Sequence, residues 1–246
     1  MSREGSTALI DFDEYEVMSF DCYGTLIDWE RGLISGIRPV LERHDVEATD
    51  EEILALQART ESGLQSASEV DAYVKYRKVL GDTVSKFGEE YGFEPEPSEV
   101  GALADSLRYW EPFPDAVEAL RALKRRYKLA VITNADDGLF ALSACHLEVE
   151  FDWIVTAEQA GTYKPSLNTF EVALRRMGLE RGKILHIAQS LFHDHVPAKE
   201  MGLDTVWVNR RADKEGFGAT PPAEAEPDFE VPDLRALVAA TGLLPD

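Results

Sequence analysis

Residues 17–26 read Val17-Met18-Ser19-Phe20-Asp21-Cys22-Tyr23-Gly24-Thr25-Leu26. Val17 to Phe20 is short, mostly apolar and β-prone, and Gly24-Thr25 marks a turn just beyond it. A run this short and this apolar predicts a strand covered on both faces. Four similar runs lie in the second half of the chain: Leu129-Ala130-Val131-Ile132, Trp153-Ile154-Val155, Ile184-Leu185-His186-Ile187 and Thr205-Val206-Trp207-Val208. Between them lie helical patterns at Asp115 to Arg126, Asp137 to His146, Asn168 to Met177 and His195 to Met201. Strand-helix alternation of this kind predicts an α/β protein with a three-layer parallel sheet.

The stretch from Trp29 to Trp110 breaks the alternation. It carries helical signals over residues 50–56, 70–76 and 100–107 and no convincing strand. Thr49 or Asp50 can cap the first of these, with acids in the first turn suiting the helix dipole. The reading is a helical domain, residues 29–110, inserted after the first strand into a core made of 1–28 and 111–246. Toward the end, Arg211 to Pro232 reads as irregular, Asp228 to Val231 as a short edge strand, and Leu234 to Ala240 as a closing helix. There is no internal repeat.

The 246 residues include 46 acidic and 25 basic side chains, a formal net charge of -21. That excess repels nucleic acid and anionic membrane, both of which need neutralising Lys and Arg. No apolar run approaches the roughly 20 residues of a membrane span. Met1 to Glu16 lacks the basic start and apolar middle of a signal peptide. Two cysteines, Cys22 and Cys145, cannot build a disulfide framework, so a reducing, cytoplasmic setting is expected.

In an open parallel sheet, ligands bind beyond the carboxyl ends of the strands, near the point where strand order reverses. The polar residues just after each apolar run are therefore the candidates. The first strand ends in Asp21-Cys22-Tyr23-Gly24-Thr25 and the second in Thr133-Asn134. Tyr163-Lys164-Pro165 precedes the fourth, which ends in Gln189-Ser190 with Asp194 beyond. A carboxylate, a hydroxyl-amide pair, a lysine and a second carboxylate converge on one edge. His193 and His195 flank Asp194, but two histidines without a third close ligand make a poor zinc site.

This pattern resembles the haloacid dehalogenase-like hydrolase superfamily, and within it the type II 2-haloacid dehalogenases. Asp21 to Leu26, Thr133-Asn134, Lys164-Pro165 and Ala188 through Asp194 match its four motifs. The resemblance implies a Rossmann-like core, with the helical insert as its cap, and an aspartate nucleophile, Asp21, that forms a covalent ester opened by water. Lys164 beside it would hold the carboxylate ionised. Thr25 would bond Asp21, and Thr133 and Asn134 would orient it or cradle the leaving group beside free N–H groups of the next helix. Asp194 would position the water. The resemblance further implies that Cys22 and Tyr23, with Gln189 and Ser190, receive a small anionic organic acid, that an arginine on the insert holds the halide, with Arg59 as candidate, and that the protein forms a homodimer. Tyr23, Trp29, Trp110 and Phe192 are candidates for an apolar wall.

Two positions separate a dehalogenase from the Mg²⁺-dependent phosphatases of the same superfamily. The general-acid position two residues after the nucleophile holds Tyr23, which is no carboxylic acid. The metal-binding position opening the fourth motif holds the neutral Gln189, whereas Mg²⁺ prefers anionic oxygens. The expectation is a metal-independent hydrolase of small 2-substituted carboxylic acids without a cofactor. The alternatives are a Mg²⁺-dependent phosphatase, with Asp21 and Asp194 on the metal, and a non-catalytic binding protein on the same scaffold.

Overall fold

A computed structural model describes residues 10–71, 73–214 and 218–243. The start of the chain expected to lack a signal sequence thus lies partly outside the described residues. Six strands, β1 (Val17–Phe20), β2 (Lys128–Thr133), β3 (Trp153–Thr156), β4 (Ile184–Ala188), β5 (Asp204–Val208) and β6 (Phe229–Val231), form one sheet in the order β3-β2-β1-β4-β5-β6. Every pairing is parallel.

Side chains alternate across the sheet, and each face buries its own set. On one face Val17, Ala130, Ile132 and Ile184 pack with Phe170, Ala173, Met177 and Ala198. On the other Met18, Phe20, Leu129, Val131, Leu185 and Ile187 join Leu120, Leu123, Leu234 and Leu237. The chain between β1 and β2 is helical: α1 (Trp29–Arg43), α2 (Asp50–Asp71), α3 (Tyr76–Tyr91), α4 (Pro97–Val100), α5 (Ala102–Ser106) and, leading into β2, α6 (Ala116–Lys124). The remaining helices are α7 (Asp137–Leu147), α8 (Ala157–Ala160), α9 (Leu167–Met177), α10 (Val196–Glu200) and α11 (Leu234–Ala240). Helices α9 and α10 cover the first face, and α6, α7 and α11 the second. This is the expected Rossmann-like, three-layer α/β core with a helical insert after its first strand.

One local expectation fails for an identifiable reason. Residues 70–76 are not one helix, because α2 ends at Asp71 and α3 begins at Tyr76. The break is anchored from the core: Asp136 accepts the backbone N–H groups of Tyr76 and Arg77 at 2.8 Å each and the Tyr73 hydroxyl at 2.7 Å. A buried aspartate thus satisfies the first amides of α3, which its own N-cap, Lys75, leaves unbonded. The helix expected from His195 to Met201 is present as α10, and a π-helical turn over Leu191–His195 leads into it. That turn is closed by Ser190, whose Oγ accepts the His193 N–H at 2.9 Å.

Because β1 lies between β2 and β4, its carboxyl end is where strand order reverses. Ligands of open α/β sheets bind at such a point. Among the described residues no helix is long and apolar enough to cross a membrane.

Candidate active site

The turn after β1 presents Asp21. Leu26 N–H returns to the Cys22 carbonyl at 2.8 Å, and Gly24 N–H to the Ile27 carbonyl at 2.8 Å. Gly24 sits at φ +95, where a side chain is strained, and an added Cβ would meet Trp29 Nε1 at 2.9 Å. Behind the turn, Arg210 donates to both oxygens of Asp115 at 2.8 and 2.9 Å and to the Thr25 carbonyl at 2.8 Å. Its guanidinium also lies over the Phe113 ring. The Asp21 loop is therefore held from the segment after β5 as well as from β1.

Three of the expected residues meet in one buried constellation. Lys164 Nζ donates to Asp21 Oδ1 at 2.8 Å, to Asp194 Oδ1 at 2.7 Å and to the Ile132 carbonyl at 2.9 Å. Its three N–H donors are then all used. Thr25 donates to Asp21 Oδ2 at 2.7 Å while its oxygen accepts the Gln189 N–H at 2.9 Å, which ties the first motif to the fourth. Asp194 Oδ1 also bonds His186 Nε2 at 2.9 Å, whereas Asp194 Oδ2 is buried without a partner among the described residues.

The two carboxylates titrate in opposite directions. Burial and the neighbouring charge of Asp194 raise the Asp21 pKa above its ordinary 3.8, against the pull of Lys164 and Thr25. Lys164 pulls the Asp21 pKa down as expected, but desolvation of the buried carboxylate outweighs it. Burial works the same way on Asp194, but Lys164 and His186 overcome it and hold that carboxyl well below the usual range. Burial also lowers Lys164, and the two carboxylates reverse that, leaving its pKa raised. Burial pushes His193 down to about 4, so its ring is neutral above that pH.

A small cavity of about 40 Å³ lies over this group, and its lining includes Asp21, Lys164, Asp194, Asn134, Ser190 and His193. The helical insert supplies Trp29, Glu61 and Tyr76 to the same cavity. Glu61 accepts from Gln57 Nε2 and is hydrogen-bonded to the Tyr76 hydroxyl. Tyr23 also lines the cavity, with its hydroxyl 2.9 Å from Ser143 Oγ. Trp110 stands behind it, edge-on to Tyr23 at 5.8 Å.

Several expected residues sit elsewhere or act differently. Arg59 points to solvent, 64% exposed, and pairs with Glu90 at 3.5 Å, so the insert brings a carboxylate to the cavity where an arginine was expected. Gln189 contributes its backbone: its side chain accepts from Thr220, a residue of the cavity wall, without itself lining the cavity, and its carbonyl accepts from Trp207 Nε1 at 2.9 Å. The Cys22 side chain is buried and absent from the cavity lining, and burial raises its thiol pKa, so only its backbone is free to serve the site. Asn134 clasps the Lys164 backbone instead of reaching Asp21, accepting its N–H at 2.7 Å and donating to its carbonyl at 3.0 Å. The first amide of α7, Asp137 N–H, is already taken by the Glu158 carboxylate at 3.1 Å. The Thr133 hydroxyl is buried with no partner among the described residues. Phe192 packs edge-on against His193 and does not line the cavity.

A parallel α/β core with an acid at the end of β1, a lysine between two carboxylates and a helical insert above them defines a class of hydrolases. The sequence matches the haloacid dehalogenase-like hydrolases over residues 15–192, and the chain belongs to that family. It is 28% identical over 235 residues to an (S)-2-haloacid dehalogenase of Pseudomonas sp. (strain YL), covering 92% of this chain and 94% of that protein. It is 25% identical over 226 residues to haloacetate dehalogenase H-2 of Moraxella sp. (strain B), covering 91% and 96%. The L-2-haloacid dehalogenase of Xanthobacter autotrophicus, solved with chloropropionic acid covalently bound, has the same fold with a TM-score of 0.74, 20% identity and coverage of 91% and 96%.

Proposed function

We propose that this chain is a metal-independent hydrolase of small 2-substituted carboxylic acids, a 2-haloacid dehalogenase working through an aspartyl ester. The observation that carries the reading is the single lysine held between Asp21 and Asp194, with the second oxygen of Asp194 buried and unpartnered among the described residues. Asp21 attacks C2 in line; the carbon-halogen bond breaks, halide leaves with the bonding pair, and C2 inverts. Lys164 and Thr25 fix the attacking carboxylate, and holding nucleophile and substrate together supplies up to roughly 7–11 kcal/mol of the barrier.

In the second step a water at Asp194 Oδ2 attacks Cγ of the Asp21 ester. The bond from Cγ to the bridging oxygen breaks, and the product leaves as a 2-hydroxy acid carrying the former Asp21 oxygen. Of the two water protons, one ends on the product hydroxyl and the other goes to solvent. The substrate carboxylate sits against the Thr133 hydroxyl and the N–H groups of Cys22 and Tyr23. Residues 29–110 act as the cap, with Trp29 and Tyr76 excluding water above the core of 1–28 and 111–246, which strengthens the electrostatics beneath. A homodimer in a reducing cytoplasm belongs to the same reading.

The donor set disfavours Mg²⁺. Both carboxylates already share the Lys164 charge, and the remaining metal position is Gln189, a neutral amide where Mg²⁺ prefers an anionic oxygen. The test is halide release from both enantiomers of 2-chloropropionate, and from haloacetates, with a chelator present. Release that disappears in Asp21→Asn supports the reading. No release from folded protein, together with Mg²⁺-stimulated cleavage of an aryl phosphate, would replace it with the phosphatase.

A further inference from the structure

His186 is the one ionisable residue in β4, a strand otherwise built of Ile, Leu and Ala. It is paired in register with Ser19 of β1, on the face covered by α9. Both side chains have no exposed surface. Ser19 Oγ lies 3.0 Å from His186 Nδ1, His186 Nε2 lies 2.9 Å from Asp194 Oδ1, and Phe170 closes the ring edge-on at 5.2 Å. A histidine in a dry core needs both ring nitrogens satisfied, and here the partners assign them. Asp194 is a carboxylate and only accepts, so Nε2 carries the proton. Nδ1 then accepts from the Ser19 hydroxyl, whose other contact, the Leu185 carbonyl, is longer at 3.4 Å.

The consequence falls on Asp194. Lys164 and His186 both donate to Oδ1 and leave Oδ2 buried without a partner among the described residues, on a side chain that lines the cavity. Lys164 by itself would let the carboxylate swing about its single contact, and either oxygen could then turn to the lysine. Two donors on one oxygen fix which oxygen faces the substrate and at what angle. We propose that His186, oriented by Ser19, is a positioning residue that holds Asp194 Oδ2 toward the cavity and so sets the water that opens the Asp21 ester. This rests on the dehalogenase reading for the step it serves, and on the hydrogen bonds alone for the arrangement.

The role separates the two half-reactions. His186 touches neither Asp21 nor the cavity, so ester formation should be spared and ester hydrolysis slowed. Misplacing a reacting water by about 1 Å costs on the order of 100-fold. The experiment is rapid-quench kinetics on 2-chloropropionate with wild type, His186→Met, His186→Gln and Ser19→Ala. Halide release reports the first step, and intact-mass detection of the Asp21 ester reports its survival. In His186→Met the expected result is a burst of about one halide per chain followed by turnover 10- to 100-fold slower, with the ester accumulating. His186→Gln, whose amide reaches the same oxygen, should recover most of the second step, and Ser19→Ala should show a smaller defect of the same kind.

Equal loss in both steps, or loss in neither, would overturn the proposal. A His186→Met protein that fails to fold leaves His186→Gln and Ser19→Ala to decide, and an unchanged ester lifetime in Ser19→Ala together with slowed hydrolysis in His186→Gln overturns it. An independent readout needs no activity. In nitrogen-15 spectra of wild type at neutral pH, His186 should carry its proton on Nε2 with Nδ1 bare; a proton on Nδ1 alone sinks the arrangement. If wild type releases no halide, the dehalogenase reading falls, and this measurement judges the positioning role separately.

Discussion

The Lys164 ammonium lies 2.7 Å from Asp194 Oδ1, and each side chain is only 1% exposed. With Asp21 Oδ1 at 2.8 Å on the other side, one buried cation serves two carboxylates. Removing one partner of a buried ion pair leaves an uncompensated charge and costs about 3–5 kcal/mol. Lys164→Met should therefore destabilise the fold by at least that much and lower the thermal midpoint by several degrees. Asp21→Asn should not, because folding holds the Asp21 pKa up, which means its charge opposes the native state at neutral pH. Calorimetry of the two variants checks the asymmetry, and equal destabilisation would remove the idea that the lysine carries the charge balance.

The same shifts fix the pH profile. A nucleophile with a raised pKa is protonated sooner as pH falls, so activity should be lost on the acid side at a pH above 3.8. Lys164 has its pKa raised from 10.5, so no alkaline loss from its deprotonation should appear below that value. Asp194, held low, contributes stability that is full above its ordinary pKa and is lost only as pH falls through its depressed native value. A profile of kcat/KM from pH 3 to 10, alongside thermal midpoints, separates these limbs. An acid limb below 3.8 would show that Lys164 outweighs burial at Asp21.

Asp136 joins the core to the helical insert by taking the Tyr73 hydroxyl and the Tyr76 and Arg77 amides. Hydrogen bonds to a charged group are worth roughly 1.5–3 kcal/mol each before relaxation. Asp136→Ala should cost about 2–4 kcal/mol, and it should raise KM more than it lowers kcat, since Tyr76 lines the cavity while Asp21 is untouched. Asp136→Asn keeps two acceptor sites on one oxygen and should recover about half of the loss. Urea unfolding with steady-state kinetics tests both halves. A fall in kcat alone would show that the contact does not govern the insert.

Much of this was legible because it obeys local rules. The apolar runs are strands because nothing else fits their length, and Asp21, Lys164 and Asp194 converge because a parallel sheet collects the residues after its strands at one edge. What failed was long-range. Arg59 has nothing local to tell which face of α2 it takes, and it faces solvent. The division between α2 and α3 depends on Asp136, sixty residues further along the chain. His186 was visible as a polar interruption of an apolar strand, yet its meaning came only with the register that sets it beside Ser19 and the turn that returns Asp194.

Glu61 had no signal of its own, and it shapes the cavity most unlike the expectation. It stands in the cap wall, fixed by Gln57 and Tyr76, facing a floor that already holds Asp21 and Asp194 against one lysine. A substrate carboxylate therefore enters against a net negative field. At an effective dielectric of about 20, two like charges roughly 6 Å apart repel by about 3 kcal/mol, and partial solvent access reduces that severalfold. Glu61→Gln keeps the shape and one acceptor while removing the charge. It should raise kcat/KM for 2-chloropropionate about 5- to 20-fold, chiefly through KM, and leave the neutral 2-chloropropionamide nearly unchanged. Steady-state kinetics on the two substrates gives the answer as a ratio. Equal losses on both would mean that Glu61 acts on the leaving group or holds the wall together, and charge would then not be its contribution.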